Sequence, residues 1–294
     1  MSGTGRVLQP AIATGADRLR IGTSGWSYPT GEGKWTGVVY PPGTRSELAY
    51  YATHLFTTVE VNASFYRLIP PATAKTWART TPPDFQFAVK AWQKFTHPQM
   101  HAAASGKAEP ATQEDVDRFR ASLDPLAERR KLGAVLLQFP PSFHSTPETA
   151  DSLGTLLGRL AAYPLAVELR HRSWSHRKSE TRKLLQEHRA TWVVIDEPKF
   201  PSSIRQDVEP LSEMLYLRFH GRNAAKWWTH DRAEERYDYL YSEAELLPFA
   251  AKIRALLTTA CPPRAFVFFN NHARGQAVQN AQMMIRLVGE GLPA

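Results

Sequence analysis

The chain carries a single cysteine, Cys261, among 294 residues. An intramolecular disulfide is therefore impossible, and no zinc or iron–sulfur site can be built on thiolates. Long apolar runs are missing as well: nothing approaches the roughly 18 residues of a membrane-spanning helix, so no membrane partner is expected. The opening stretch, MSGTGRVLQPAIATGADR, is small and polar and lacks the basic cap and apolar core of a secretory signal. These absences describe a cytoplasmic protein with a flexible tail over residues 1–18. No internal repeat and no linker divides the remainder, so residues 19–294 read as one domain.

What is present is globular in balance, with 43% hydrophobic and 22% charged residues. The net charge is +8 and the pI about 9.6, which suits an anionic partner, nucleic acid included. The densest basic stretch is RHRSWSHRKSETRK, residues 170–183. Part of it reads equally well as a solvated helix face.

Short apolar runs alternate with longer amphipathic segments. The runs are LRIGTSGW, FTTVEVN, FQFAVKAW, GAVLLQF, LAVELR, TWVVID, MLYLRFHG and AFVFFNN. Each is short, rich in β-branched or aromatic residues and bounded by turn formers, as buried strands are. Helical segments open at Ser46, Pro71, Thr112, Thr146, Ser179, Ser242 and Gly275, and none is evident between Glu197 and Glu213. Eight strands with intervening helices predict a (β/α)8 TIM-type barrel, with the helix between the sixth and seventh strands reduced or missing. GTSGW lacks the GxGxxG spacing, which disfavours the alternative, an open dinucleotide-binding sheet.

In such a barrel the chemistry sits at the C-terminal strand ends. The first strand ends near Trp26. The second carries Glu60 and Asn62, two apart and hence on one face. The third carries Lys90, the fourth ends at Gln138, and the fifth carries Glu168 and Arg170. The sixth ends at Asp196, the seventh carries Arg218 and His220, and the eighth ends at Asn270 and Asn271. Burying unpaired charge costs several kcal/mol. This ring is therefore either a site or a closed layer of salt bridges such as Glu168–Arg218 or Glu60–Lys90.

As a site, the ring joins carboxylates able to act as base or nucleophile to cations able to hold phosphate or carboxylate. A divalent metal on Glu168, Asp196, His220 and His272 is the competing use. No HExxH is present and the neighbouring cations oppose it, so no metal or other cofactor is expected. His97 and His101 flank a proline, Pro98, and read as loop residues. Ser24 in GTSGW has the wrong spacing for a nucleophile elbow, and Cys261, ahead of the last strand, reads as structural. Trp26, Trp35, Trp92 and Trp174 follow strands, where they either pack beneath loops or stack on a ligand. The loop over residues 221–241, GRNAAKWWTHDRAEERYDYLY, is long and aromatic, a composition that argues for an ordered, functional loop.

The stretches IGTSGWSY, YYATHLFTTVEVNASFYRLI, FQFAVKAWQKFTH, GAVLLQFPPSF, AVELRHRSW, YLRFHGRN and FFNNHARGQAVQNA resemble the YecE-like family, domain-of-unknown-function family seventy-two. The resemblance implies a TIM-type barrel. It marks Glu60, Asn62, Lys90, Gln138, Glu168, Arg170, Arg218, His220, Asn270 and Asn271 as motif positions and carries no catalytic role with it.

The expected function is that of an enzyme, a hydrolase or lyase, acting on a small anionic substrate of phosphate or nucleotide type. Lys90, Arg170 and Arg218 would hold the anion and Glu168 would be base or nucleophile, with Glu60 the second carboxylate and His220 the proton donor. Asn62, Gln138, Asp196, Asn270 and Asn271 would contact substrate, with Trp26 and Trp174 at the mouth. A nucleic-acid-binding protein and a carbohydrate-active barrel using Glu60 with Glu168 are the alternatives. The sequence does not specify an oligomeric state.

Overall fold

The computed structural model describes residues 18–31, 33–259 and 263–290. The tail over residues 1–17 and Cys261 lie outside them.

The strands are β1 (Leu19–Ser24), β2 (Thr58–Val61), β3 (Gln86–Lys90), β4 (Leu132–Gln138) and β5 (Leu165–Glu168), then β6 (Thr191–Trp192), β7 (Val194–Asp196), β8 (Met214–Phe219) and β9 (Arg264–Phe269). They form one sheet in the order β6-β5-β4-β3-β2-β1-β9-β8-β7. Every pairing between these strands is parallel. β6 and β7 are successive pieces of one run, separated only by Val193, whose N–H still bonds the Val167 carbonyl at 2.9 Å. The two ends of the sheet are thus one stretch of chain, and the sheet nearly closes on itself as a TIM-type barrel. All eight apolar runs of the sequence supply its staves.

Small residues face large ones inside it. Phe266, Phe268 and Tyr216 are fully buried, with Tyr216 and Phe268 ring centroids 5.3 Å apart. Gly133 faces this plug, and a Cβ there would lie 2.6 Å from Phe266 Cζ. At Gly22 a Cβ would lie 2.2 Å from the Thr58 carbonyl oxygen, so only glycine lets β1 lie this close to β2. The aromatic plug fills the lower barrel, and the polar strand ends stand above it.

The outer helices begin where capping chemistry puts them. Thr112, Thr146 and Ser242 each close a capping box, which satisfies backbone N–H groups that the first turn leaves free. Residues 197–213 run from β7 to β8 without a helix. One local expectation fails in part: His101 is not a loop residue, because Pro98–Ser105 is a helix, whereas His97 is the non-helical residue just ahead of it. Pro98 occupies its first turn, where the missing N–H has no helical partner to lose and the fixed φ is already helical. Among the described residues no helix is long and apolar enough to cross a membrane.

Candidate functional site

Arg218 is the hub of the barrel mouth, and it is 1% exposed. Its Nη2 donates to Glu60 Oε1 at 2.6 Å, and its Nη1 donates to Glu168 Oε2 at 2.5 Å and to Gln138 Oε1 at 3.0 Å. Glu60 also accepts from Ser24 Oγ and from the Tyr216 hydroxyl, each at 2.7 Å. Side chains of β1, β2, β4, β5 and β8 thus meet around one guanidinium. Inward-facing positions alternate along a strand, so these residues fall on the same side as the plug. Of the two salt bridges the sequence suggested, Glu168–Arg218 forms, whereas Glu60 pairs with Arg218 and not with Lys90.

Arg170 closes the next circle. Its Nε donates to Glu168 Oε1 at 2.7 Å, and its Nη1 lies 3.1 Å from Glu197 Oε2. Burial alone would raise the Glu168 carboxyl, but Arg170 and Arg218 outweigh it and hold the group well below its usual range. Glu197, by contrast, is pushed up by burial. His220 turns Nε2 toward the same cations, 3.2 Å from Arg170 Nη2 and 3.5 Å from Arg218 Nη1. A guanidinium only donates, so Nε2 is an acceptor. Burial, then Arg218 and Arg170, push the imidazole down to about 3. It is neutral at physiological pH, and a neutral imidazole is a poor proton donor. The Asn270 side-chain amide lies 3.1 Å from its Nδ1.

Lys90 differs from the other cations here. Its Nζ lies over the Phe65 ring, 4.0 Å from the centroid. Among the described residues no carboxylate stands within 4.0 Å of it and no hydrogen bond satisfies it. The side chain is partly exposed. Burial, then Arg218, bring its amine down to about 7. His97 sets its imidazole edge-on to the same Phe65 ring at 5.0 Å. Burial, then Lys90, push His97 down to about 4. Asn62 is one step beyond the last β2–β3 pair, Val61 with Val89, so it neighbours Lys90 across the sheet. Its buried Oδ1 has no hydrogen-bond partner.

Four expected site residues stand elsewhere. Asp196 faces outward, where Arg222 grips it with two contacts of 2.8 Å and Tyr241 donates to it at 2.7 Å. The inward acid is its neighbour Glu197, since adjacent strand residues point to opposite faces. Asn271 is fully buried and donates to the Tyr239 carbonyl and to Asn280 Oδ1. Trp174 is 1% exposed, stacks on Phe143 and donates to the Phe143 carbonyl, so it packs beneath a loop. Trp26 packs edge-on against Trp77, 5.2 Å away, in the helix layer. The Asp196 and Asn271 contacts anchor the loop over residues 221–241, whose Tyr237 lies 5.2 Å from the His272 ring.

Among the described residues no group of three or more His, Cys, Asp or Glu side chains is placed to hold a metal. His272 stacks on Tyr28 at 4.4 Å, and Asp196 is taken by Arg222.

Known proteins match this arrangement along nearly the whole chain. The sequence profile of the family described as "Protein of unknown function DUF72" matches residues 20–293. The chain belongs to the DUF72 family. The UPF0759 protein YunF of Bacillus subtilis is 33% identical over 283 residues, 92% of this chain and 94% of that protein. The crystal structure of a DUF72 family protein from Thermotoga maritima has a TM-score of 0.76 at 36% identity, covering 92% of this chain and 99% of that one. A DUF72 family protein from Enterococcus faecalis superposes with a TM-score of 0.78 at 27% identity, covering 94% and 96%. This DUF72 chain therefore shares its barrel with solved relatives over most of their length.

The depressed imidazoles set an acid limit. His220 and His97 titrate near 3 and 4 in the fold against an ordinary 6.5. As pH falls through 6.5 the unfolded chain takes up protons that the folded chain refuses, so stability falls over roughly pH 6.5 to 4. The expected loss is about 1–2 kcal/mol per histidine at pH 5. Urea unfolding of the DUF72 chain at pH 7.5 and 5.0 measures it, and a His97→Asn variant should show a flatter dependence. Equal slopes in the two proteins would remove His97 from the account.

Proposed function

We propose that this DUF72 barrel is an enzyme, a hydrolase or lyase, acting on a small anionic substrate of phosphate or nucleotide type at its C-terminal mouth. One observation carries the reading: Lys90 is a partly exposed cation within a ring of otherwise paired charges, and no carboxylate of the described residues reaches it. A substrate anion would supply the missing counter-charge. Arg170, 11% exposed, would be the second contact, with the amides of Gln138 and Asn62 orienting the ligand. Glu60 and Glu168 then act through Arg218, fixing the local charge. Glu168, held well below its usual range, is a weak base. Proton transfer falls to Lys90, which titrates near 7.

Two observations weigh against the other readings. The Arg218 fork bridges Glu60 and Glu168 directly, where a glycosidase needs the scissile bond between its two carboxylates. Half of the six cations over residues 170–183 are engaged within the fold: Arg170 turns inward to Glu168 and Glu197, and Lys178 and Arg182 share Glu209.

The test is a thermal-shift series on chelator-treated protein. It would include inorganic phosphate, nucleotides, sugar phosphates, uronic acids, short DNA and RNA, and divalent metals. A ligand at a hundred times its Kd stabilises the fold by about 2.7 kcal/mol. A small anion is expected to raise the Tm. A salt-sensitive rise with oligonucleotides alone would transfer the reading to nucleic-acid binding.

A further inference from the structure

We propose that Lys90 is a covalent nucleophile that forms an imine with a small carbonyl compound carrying a phosphate or carboxylate group. The inference rests on the reading of the barrel mouth as a substrate site and names the chemistry done there.

Comparison with the chain's other enclosed lysines isolates Lys90. Lys131 is 4% exposed and donates to the Thr81 carbonyl at 2.7 Å, Thr81 Oγ1 at 2.9 Å and the Pro82 carbonyl at 2.6 Å. Lys94 pairs with Asp115 at 2.7 Å. Those amines have acceptors aimed at them. Lys90 instead lies over the face of Phe65, with no hydrogen-bond acceptor among the described residues.

The surroundings provide what a nucleophilic amine needs. Desolvation on an aromatic face and nearby guanidiniums favour the free base, a recognised route to a reactive lysine. The groups facing Lys90 are Arg218 and Arg170, which disfavour its charge, and Glu168 and Glu60, which favour it. His97, just ahead of the Pro98–Ser105 helix, sets its ring edge-on to the same Phe65, and burial and then Lys90 push it down. The balance leaves the amine titrating near 7. The Gln138 and Asn62 side-chain amides would meet the anionic end of the substrate, and Arg170, already held by Glu168 and Glu197, would add its charge.

The chemistry closes without an added oxidant or reductant. The Lys90 lone pair forms a C–N bond to the carbonyl carbon, and the carbonyl π pair becomes an oxygen anion that takes a proton from the newly bonded nitrogen. Loss of that oxygen as water, with a second proton, leaves C=N. The sum is amine plus carbonyl giving imine plus water. In its protonated form the imine accepts the electron pair of a breaking bond one carbon away, which places the activity among lyases. Hydrolysis returns the free amine.

The test uses the full chain with pyruvate, dihydroxyacetone phosphate or, as an uncharged control, acetone, each with sodium cyanoborohydride. Intact-mass and peptide mapping read the product. One adduct per chain is expected on the Lys90 peptide, forming on the order of 10²-fold faster at pH 7 than at surface lysines, whose amines titrate near 10.4. Its rate should rise with a midpoint near pH 7. Inorganic phosphate should slow it, acetone should react poorly, and Lys90→Arg should abolish it. Labelling spread over surface lysines and unchanged in Lys90→Arg would overturn the proposal. A Tm rise with phosphate but no Lys90 adduct would overturn the imine step alone and leave the anion site standing. Neither a Tm rise nor an adduct would overturn both.

Discussion

An Arg218→Met variant is expected to melt roughly 6–15 °C below the wild type, a loss of about 3–5 kcal/mol. Methionine fills much of the space and donates nothing. Glu60 and Glu168, both 0% exposed, would keep their positions in the barrel without their cation. The cost comes chiefly from the two carboxylates left behind, since removing one member of a buried charge cluster strands the others. A triple variant, Arg218→Met with Glu60→Gln and Glu168→Gln, should therefore regain much of the loss. Differential scanning calorimetry of wild type, single and triple variants decides it. A single variant within about 2 °C of wild type would mean that water enters the mouth and screens the pair.

Lys90→Met should have the opposite sign. The folded amine titrates near 7 and the unfolded one near 10.5. Between those values the unfolded chain holds a proton that the folded chain has released. Wild-type stability therefore rises with pH from about 7 to 10, and the fold carries the penalty of the buried charge below that window. Methionine removes the penalty. The variant should be more stable at pH 7 by on the order of 1–3 kcal/mol, with the gain shrinking toward pH 10. The same variant should lose the anion-dependent Tm rise entirely. Urea titrations of both proteins at pH 7 and 9.5 test the first part. Lower stability of Lys90→Met at pH 7 would show that the Phe65 contact outweighs desolvation.

The barrel was legible because each strand is a brief β-branched or aromatic run between amphipathic helices, and that alternation has few solutions. The mouth was legible through spacing. Glu60 with Asn62, Glu168 with Arg170, and Arg218 with His220 each place polar groups two apart at a strand end, so both members of a pair face inward. The sixth strand gave no such phase. TWVVID is apolar on both faces, and nothing local shows that Glu197 turns inward while Asp196 turns to Arg222. Asn270 and Asn271 repeat the problem, one beside His220 and one holding the loop. His101 was misread because Pro98 reads as a breaker, although proline is well suited to a first helical turn. Trp174 shows that a tryptophan after a strand has the same signature whether it stacks on a ligand or packs beneath a loop. Arg218 itself stood in the sequence, but its role as the shared partner of two acids depends on which strands become neighbours.

The wiring of Arg218 also bears on how long the folded state lasts. It reaches Glu168 across 50 residues of sequence, Gln138 across 80 and Glu60 across 158. Contacts of such separation close large loops, and their entropic cost falls before their reward. The cluster can assemble only once β8 has come round beside β9, which itself pairs with β1. Interactions made after the folding barrier leave the folding rate nearly untouched and slow unfolding instead. The charge cluster therefore works as a latch on lifetime. In stopped-flow chevrons, Arg218→Met should steepen no folding limb and should raise the unfolding rate by nearly the whole of its lost stability.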